Sequence, residues 1–223
     1  NERKIYCRFD NVGQIPEDID ADLVFVPLTT DDEIVKDFCY GIEIPHGMFG
    51  NGEKVEKMLK KSSTDICLCH TLDAVAIAKK CGKTVVASPS MNIFNSLSMD
   101  VAKALGISEA IASNECTVEN FNRLSAPIPK GITVYGRIPL MLTRNCPIKN
   151  GKSCSDCRRN SEITDRMGIK FPVKCQFGYS EILNSRPTYM ADRLQEIREC
   201  DILFFNFTTE STKEVERVLT AYK

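Results

Sequence analysis

The chain has 223 residues, enough for one large domain or two small ones, and its 43% hydrophobic content is that of an ordinary globular protein. No apolar run reaches the about 18 to 20 residues of a membrane span, and the polar residues 1–4 show no secretory signal. The 29 basic and 30 acidic residues leave a net charge of −1, so no overall electrostatic field selects a partner. No membrane partner is expected.

The chain begins at Asn1 rather than at Met and enters a strand-like run within a few residues. We therefore expect residues 1–223 to form one domain of a longer protein, with further N-terminal domains of the same chain as its partners.

Eleven cysteines are an unusually large number for a chain of this length. The number is odd, and several of the cysteines lie in apolar runs, where a free thiol behaves as a small core residue: Cys7, Cys67, Cys69 and Cys200. This usage favours a reducing, cytoplasmic location over a secreted disulfide framework.

Short β-rich runs alternate with amphipathic stretches along the chain. Near-continuous apolar or β-branched runs, typical of parallel strands covered on both faces, predict strands at residues 5–9, 23–27, 41–45, 65–69, 84–88, 110–113, 133–136 and 202–207. Apolar stripes predict helices at residues 31–38, 52–61, 72–81, 98–105, 118–124, 190–198 and 213–221, with Gly82 and Gly106 as C-caps. The alternation predicts an α/β fold, a (β/α)8 TIM-like barrel; an open parallel α/β sheet is the alternative, because a sequence does not show closure.

One connection interrupts this alternation. Residues 138–188 follow the seventh predicted strand without a clear helix, so they are expected to emerge at the carboxyl-terminal face, where barrel enzymes place their chemistry. Residues 140–175 contain eight Lys or Arg against three acids, a net charge of +5. A solvated basic loop and a surface for a phosphate-rich partner both fit this charge.

The same insertion carries four clustered cysteines with the spacing C-x7-C-x2-C-x17-C: Cys146, Cys154, Cys157 and Cys175. The C-x2-C pair lets two thiolates reach one metal, and the other two cysteines bracket that pair. Four unliganded thiols in a polar, basic loop would be exposed to oxidation. The cluster therefore predicts a metal centre, and sulfur ligation suits either zinc or iron–sulfur.

Polar residues recur just after the predicted strands, where a barrel has its mouth: His46, His70, Asn92, Asn95, Glu115, Tyr135 and Arg137. Helix capping, turn formation or structural histidines could account for several of them. Their shared position at strand ends favours a polar pocket instead. No nucleophile elbow, P-loop, HExxH or dinucleotide fingerprint is present, which excludes the common hydrolase, nucleotide-binding and zincin classes.

From about residue 63 to its end, the chain resembles peptidase family U-32 in the order and spacing of its motifs. These are Asn92-Ile-Phe-Asn95-Ser96, Ser113-Asn-Glu115, Tyr135-Gly-Arg-Ile-Pro-Leu-Met141, Asn145-Cys-Pro147, Thr164-Asp-Arg-Met-Gly168, Phe171-Pro-Val173, Cys175 and Leu183-Asn-Ser185. Residues 1–62 are loosely similar to the opening of the C-terminal U-32-like domain that follows the collagenase-associated middle domain in long members.

The family name implies collagenase-like proteolysis, but relatives that hydroxylate RNA bases or the ubiquinone ring without molecular oxygen imply a different activity. Those relatives carry a 4Fe-4S cluster on four cysteines, and the RNA-directed ones draw on prephenate. Carried over, the ligands here are Cys146, Cys154, Cys157 and Cys175. Some relatives place the last cysteine just after the Asn-Ser motif, where this chain has Arg186-Pro-Thr-Tyr189, so Cys175 must substitute.

Three functions follow as hypotheses. The first is an iron–sulfur protein that hydroxylates a pyrimidine base in RNA (rRNA or tRNA), with the basic insertion on the phosphates and the base at a rim of Asn95, Glu115, Tyr135 and Arg137. The second is a peptidase with a structural zinc, in which Glu115 or His70 assists hydrolysis. The third is a non-catalytic RNA-binding or docking domain.

Overall fold

The computed structural model describes residues 3–149 and 160–223. The chain divides into two compact units, one formed by Asn1–Gly136 with Tyr189–Lys223 and the other by Arg137–Thr188. Within the described residues, no helix has the length and apolarity to cross a membrane.

The strands, numbered along the chain, are β1 Lys4–Phe9, β2 Leu23–Pro27, β3 Tyr40–Glu43, β4 Ile66–Cys69, β5 Thr84–Ala87, β6 Glu109–Ile111, β7 Lys130–Gly136, β8 Pro139–Thr143, β9 Asn160–Thr164, β10 Lys170–Gln176, β11 Tyr179–Leu183, β12 Thr188–Tyr189 and β13 Ile202–Phe207. Eight of them pair in parallel in the order β7-β13-β1-β2-β3-β4-β5-β6. The ring closes because β6 also pairs with β7, with Ile111 opposite Gly131. The predicted (β/α)8 barrel is confirmed, and the open-sheet alternative is wrong.

The α-helices are α1 Asp32–Val35, α2 Gly52–Leu59, α3 Leu72–Lys80, α4 Ser96–Ala104, α5 Val118–Arg123 and α6 Thr212–Ala221. Helices α1 to α5 lie in the connections between barrel strands, and α6 follows the last strand, β13. Gly82 and Gly106 follow α3 and α4 with φ values of +72° and +77°, the left-handed conformation expected of C-cap glycines. Two predictions need correction: the stretch at 190–198 is a 3-10 helix at Ala191–Glu196, and α4 begins two residues before position 98.

The barrel interior holds an apolar cluster contributed by alternate strand residues: Tyr6, Leu23, Phe25, Leu68, Val86, Ile111, Ile202 and Phe204. A period of two places such residues on one face of each strand. Gly131 shares this interior. A Cβ at that position would lie 2.7 Å from Cδ1 of Ile111 and 2.8 Å from Cβ of Ile202, so only glycine fits between them.

The cysteines in apolar runs are buried and free, as predicted: Cys7, Cys67, Cys69 and Cys200. Burial raises the pKa of Cys67 to about 12. These thiols therefore act as small core residues.

The second unit contains an antiparallel sheet in the order β8-β11-β10-β9, which the sequence did not predict. β10 and β11 form a hairpin in which Gln176 pairs with Tyr179. The two residues between them, Phe177 and Gly178, both have positive φ, as a type I′ turn requires. This turn sets the register, with Cys175 opposite Ser180.

Replacement of Phe25 by alanine should lower the free energy of unfolding by about 3 to 5 kcal/mol, because it leaves a cavity in the barrel interior. Phe25 is 0% exposed and packs edge-on against Tyr6 with the ring centroids 5.9 Å apart. Phe94→Ala is the matched control, since Phe94 is 40% exposed. Urea unfolding followed by circular dichroism gives both values, and equal losses would contradict the packing described.

Candidate functional site

The barrel interior becomes polar at the carboxyl ends of its strands. At this end, the polar residues lie two positions after an interior residue of the same strand, and residues two positions apart face the same side of a strand. We name this set the polar layer: Arg8, Glu43, His70, Ser88, Ser113, Thr133 and Asn206. Active sites of barrel enzymes are built at this end of the fold.

A chain of hydrogen bonds runs through the polar layer. Nε of Arg8 donates to Oε2 of Glu43 at 2.9 Å, and Nη2 of Arg8 lies 2.8 Å from the same oxygen. The other carboxylate oxygen, Oε1, is 2.8 Å from Nε2 of His70. Nδ1 of His70 is 2.8 Å from Oγ of Ser88. Four strands of the ring therefore meet in one buried network.

Glu43 is ionised within this network. Burial by itself would raise the pKa of Glu43, but the charge of Arg8 and the hydrogen bond and charge of His70 outweigh it and lower the pKa to about 2. A carboxylate only accepts hydrogen bonds, so Nε2 of His70 carries a proton. In the neutral imidazole, Nδ1 then accepts from the Ser88 hydroxyl, which polarises that hydroxyl.

Arg8 and His70 have further neighbours at this end of the barrel. Nη2 of Arg8 lies 3.3 Å from Oδ1 of Asp10, and Nη1 donates to Oδ1 of Asn206 at 3.5 Å. The His46 ring stacks on His70 with 4.8 Å between centroids and 25° between planes. The two histidines predicted to follow strands thus lie in direct contact.

The sequence reasoning missed Arg8, Glu43 and Ser88. Arg8 and Glu43 could have been recognised in the sequence, because each is a charged residue inside an otherwise apolar strand run. A charge at such a position must be paired or functional when it is buried. Ser88 carried no comparable signal.

The other residues predicted for the rim are not part of the Arg8–Glu43–His70–Ser88 network. Asn95 is the N-cap of α4, where its Oδ1 accepts from the Ser98 backbone N–H at 2.9 Å. Glu115 is exposed, and its backbone N–H donates to Oγ of Ser113 at 3.3 Å. Tyr135 is buried, and its hydroxyl donates to Oε1 of Glu210 at 3.2 Å. A common functional role for these residues stays a prediction.

Arg137 belongs to the second unit. Its Nη1 donates to the backbone carbonyls of Asn184, at 2.9 Å, and of Ser185. The guanidinium therefore fixes the Asn-Ser motif of the sequence, and a direct role in a pocket stays a prediction.

Two of the four predicted ligand cysteines lie in the described part of the second unit. Cys175 Sγ is 3.1 Å from Oγ of Ser180. Backbone N–H groups of Ile148 and Lys149 and the side chains of Cys175 and Ser180 lower the pKa of Cys146. Cys146 thus lies beside Cys175 and Ser180, which are far from it in sequence.

Cys154 and Cys157 lie outside the described residues. Over residues 3–149 and 160–223, no three His, Cys, Asp or Glu side chains are grouped so as to hold a metal. A four-cysteine centre would therefore need Cys154 and Cys157 in addition to Cys146 and Cys175, and it stays a prediction.

The closed ring of eight parallel strands with intervening helices defines a (β/α)8 barrel. The solved structure of the U32 peptidase Mk0906 is similar to this chain, with a TM-score of 0.52, 13% sequence identity and 94% of each chain covered. No protein-family model matches the sequence, and no curated protein matches it. The chain thus has the fold of a U32 peptidase.

Glu43→Gln should remove a pH-dependent part of the stability. The pKa of Glu43 is lowered from 4.5 to about 2, so its ionised form stabilises the fold above about pH 4.5, and this contribution of about 3 kcal/mol is lost as the pH falls toward 2. Urea unfolding at pH 7, 4 and 3 should show a smaller pH dependence in Glu43→Gln than in the wild type. Glu119→Gln is the control, because Glu119 pairs with Arg123 at an exposed surface. Equal pH dependence in all three proteins would contradict the ionised pair.

Proposed function

We propose that the chain is an iron–sulfur protein of the U-32 type that hydroxylates a pyrimidine base in RNA without molecular oxygen. The proposal is carried by one observation: the sheet of the second unit brings Cys146 and Cys175 together although they are distant in sequence. The other two proposed ligands, Cys154 and Cys157, come from the segment between them.

The chemistry of the described donors fits a thiolate-bound metal. Metal ligation requires the thiolate form, which a lowered pKa favours. The backbone N–H groups that lower the pKa of Cys146 are the kind of donor that tunes iron–sulfur clusters. A 4Fe-4S cluster bound by the four cysteines would supply one-electron transfer. Zinc would fit the same donors, and it would then serve a structural role.

The second unit also carries exposed cations suited to an RNA backbone: Arg144, Lys149 and Arg166. Such residues release counterions from phosphates, so the proposed RNA binding should weaken steeply with salt. Prephenate is the proposed co-substrate, and a reducing cytoplasm is the compartment in which such a cluster would persist.

Cys146→Ser and Cys175→Ser should each lower the iron and sulfide content of anaerobically purified protein by more than about tenfold, because three ligands hold a cluster weakly. The visible absorption of the cluster should disappear with the iron. Cys39→Ser is the matched control, since Cys39 is an exposed cysteine of the barrel unit. Stoichiometric zinc in wild-type protein prepared under strict anaerobiosis, without iron, would contradict the cluster.

Deletion of the gene that encodes the chain should remove one hydroxylated pyrimidine from rRNA or tRNA, and restoration should need Cys146 and Cys175. Mass spectrometry of digested RNA measures this modification directly. An unchanged set of hydroxylated bases in the deletion strain would reject RNA hydroxylation.

A peptidase is the second candidate, with a structural zinc on the cysteines. The observation that favours it is the Glu43–His70–Ser88 chain, because a carboxylate, an imidazole and a hydroxyl in hydrogen-bond contact can activate a nucleophile. Against it, Ser88 is 0% exposed and its Oγ also accepts from the Ser90 backbone N–H at 3.3 Å. Gelatin cleavage that persists through purification and is lost in Ser88→Ala or Glu115→Gln would favour the peptidase.

A further inference from the structure

Helix α4 carries apolar residues on two faces. One face is buried and includes Met99 and Ala102. The other face is exposed, and on it Leu97 is 73%, Val101 52% and Leu105 43% exposed. Scattered apolar residues are common on protein surfaces, but these three are spaced four residues apart, so they form one continuous stripe along the helix. We name Leu97, Val101 and Leu105 the α4 ridge.

The outer faces of two other long barrel helices are charged. The exposed residues of α2 include Glu53 and Lys54, and those of α6 include Lys213 and Glu216. A surface helix turns a polar face to water, whereas a helix that is apolar on both faces is typically covered. The α4 ridge therefore indicates an interaction surface on the barrel unit.

Two charged residues lie along one side of the α4 ridge. Asp100 and Lys103 are both exposed and are three residues apart, so they share one side of the helix. A partner surface of a single charge would attract one of them and repel the other. A surface with the same two charges in reverse order matches both, and a second copy of α4 in the antiparallel direction presents them in that order.

The spacing of residues along α4 fits a two-fold axis at Val101. In an antiparallel pair of identical helices, two residues lie at the same level when their numbers have the same sum. With the axis at Val101, this residue packs on its own counterpart, and Leu97 lies opposite Leu105 of the second copy. Asp100 comes within one residue of helical rise, about 1.5 Å, of the level of Lys103 of the second copy. A parallel pair would place the charged sides of the two helices away from each other, and no ion pair would form.

We propose that the chain forms a two-fold symmetric homodimer in which the α4 ridge packs antiparallel against the same ridge of a second copy. The nine-residue helix is about 13 Å long, and its outer face is smaller than a standard interface of about 800 Å² per partner. The dimer is therefore weak, with a Kd on the order of tens of micromolar. The pairs between Asp100 and Lys103 fix its direction more than its affinity. This interface involves the barrel unit only, so it depends on neither a metal nor the cysteines of the second unit.

Sedimentation velocity of the full chain at about 1 to 200 µM tests the dimer, because this range spans the expected Kd. A thiol reductant is included so that the exposed Cys39 and Cys175 do not link copies covalently. The wild-type chain should change from monomer to dimer over this range. Val101→Glu places two carboxylates beside each other at the axis, so it should raise the Kd more than about tenfold.

Ile34→Glu is the matched control, because Ile34 is 59% exposed on α1, in a different connection of the barrel. It should leave the Kd unchanged. Both substitutions are at exposed positions, so the circular dichroism spectrum and the Tm of each variant should match those of the wild type.

Charge reversal tests the antiparallel register. Asp100→Lys and Lys103→Asp each bring like charges together across the axis, so each should raise the Kd about threefold or more. The double variant restores opposite charges across the axis and should return the Kd to the wild-type value. Charges that face only water, or a different protein, would show no such rescue.

A wild-type chain that stays monomeric at about 200 µM would overturn the homodimer, and this is the result expected if a different protein covers the α4 ridge. An unchanged Kd in Val101→Glu, or equal weakening by Ile34→Glu, would place the interface elsewhere and overturn it as well. A double charge reversal that associates no better than the single variants would overturn the antiparallel arrangement.

Discussion

The buried contact between Arg8 and Glu43 is the interaction on which the functional end of the barrel depends. Each charge alone would be strongly disfavoured in the interior, and each is acceptable because the other is 2.8 Å away. The carboxylate in turn holds Nε2 of His70, and that bond decides which imidazole nitrogen faces Ser88. Removal of either charge would leave its partner buried and uncompensated, and the orientation of His70 would no longer be specified.

The same barrel interior is thus divided into two parts with different physical roles. The apolar cluster around Phe25, Leu68 and Ile111 stabilises the closed ring by burial, and it places no constraint on chemistry. The polar layer holds the paired charges of Arg8 and Glu43, and the buried hydroxyl of Thr133 in this layer has no hydrogen-bond partner among the described residues. Polar groups kept at such a cost are typical of sites at which proteins bind or transform a ligand.

The sequence predicted the strands and helices of the barrel because parallel strands covered on both faces leave long apolar runs, as in residues 202–207. It could not predict closure, because closure depends on the pairing of the first strand, β1, with the last, β13, in which Lys4 lies opposite Ile202. The sheet of the second unit was also missed, because β8 and β10 are largely outside the core and β10 carries two lysines, so neither shows the pattern of a buried strand. At the site, His70 was identified from its position after a strand, whereas the pairing of Arg8 with Glu43 becomes visible only when the ring brings β1 and β3 together.

The length of the turn at Phe177 and Gly178 decides on which face of the sheet Cys175 lies. Side chains alternate between the two faces of a strand, so a single inserted or deleted residue between β10 and β11 would direct Cys175 to the opposite face of the sheet. Such a change would separate it from Cys146 while every cysteine remained in the sequence. Loop length, as much as cysteine number, therefore determines whether a descendant of this chain retains the geometry for a shared ligand, and a count of cysteines would not detect the loss.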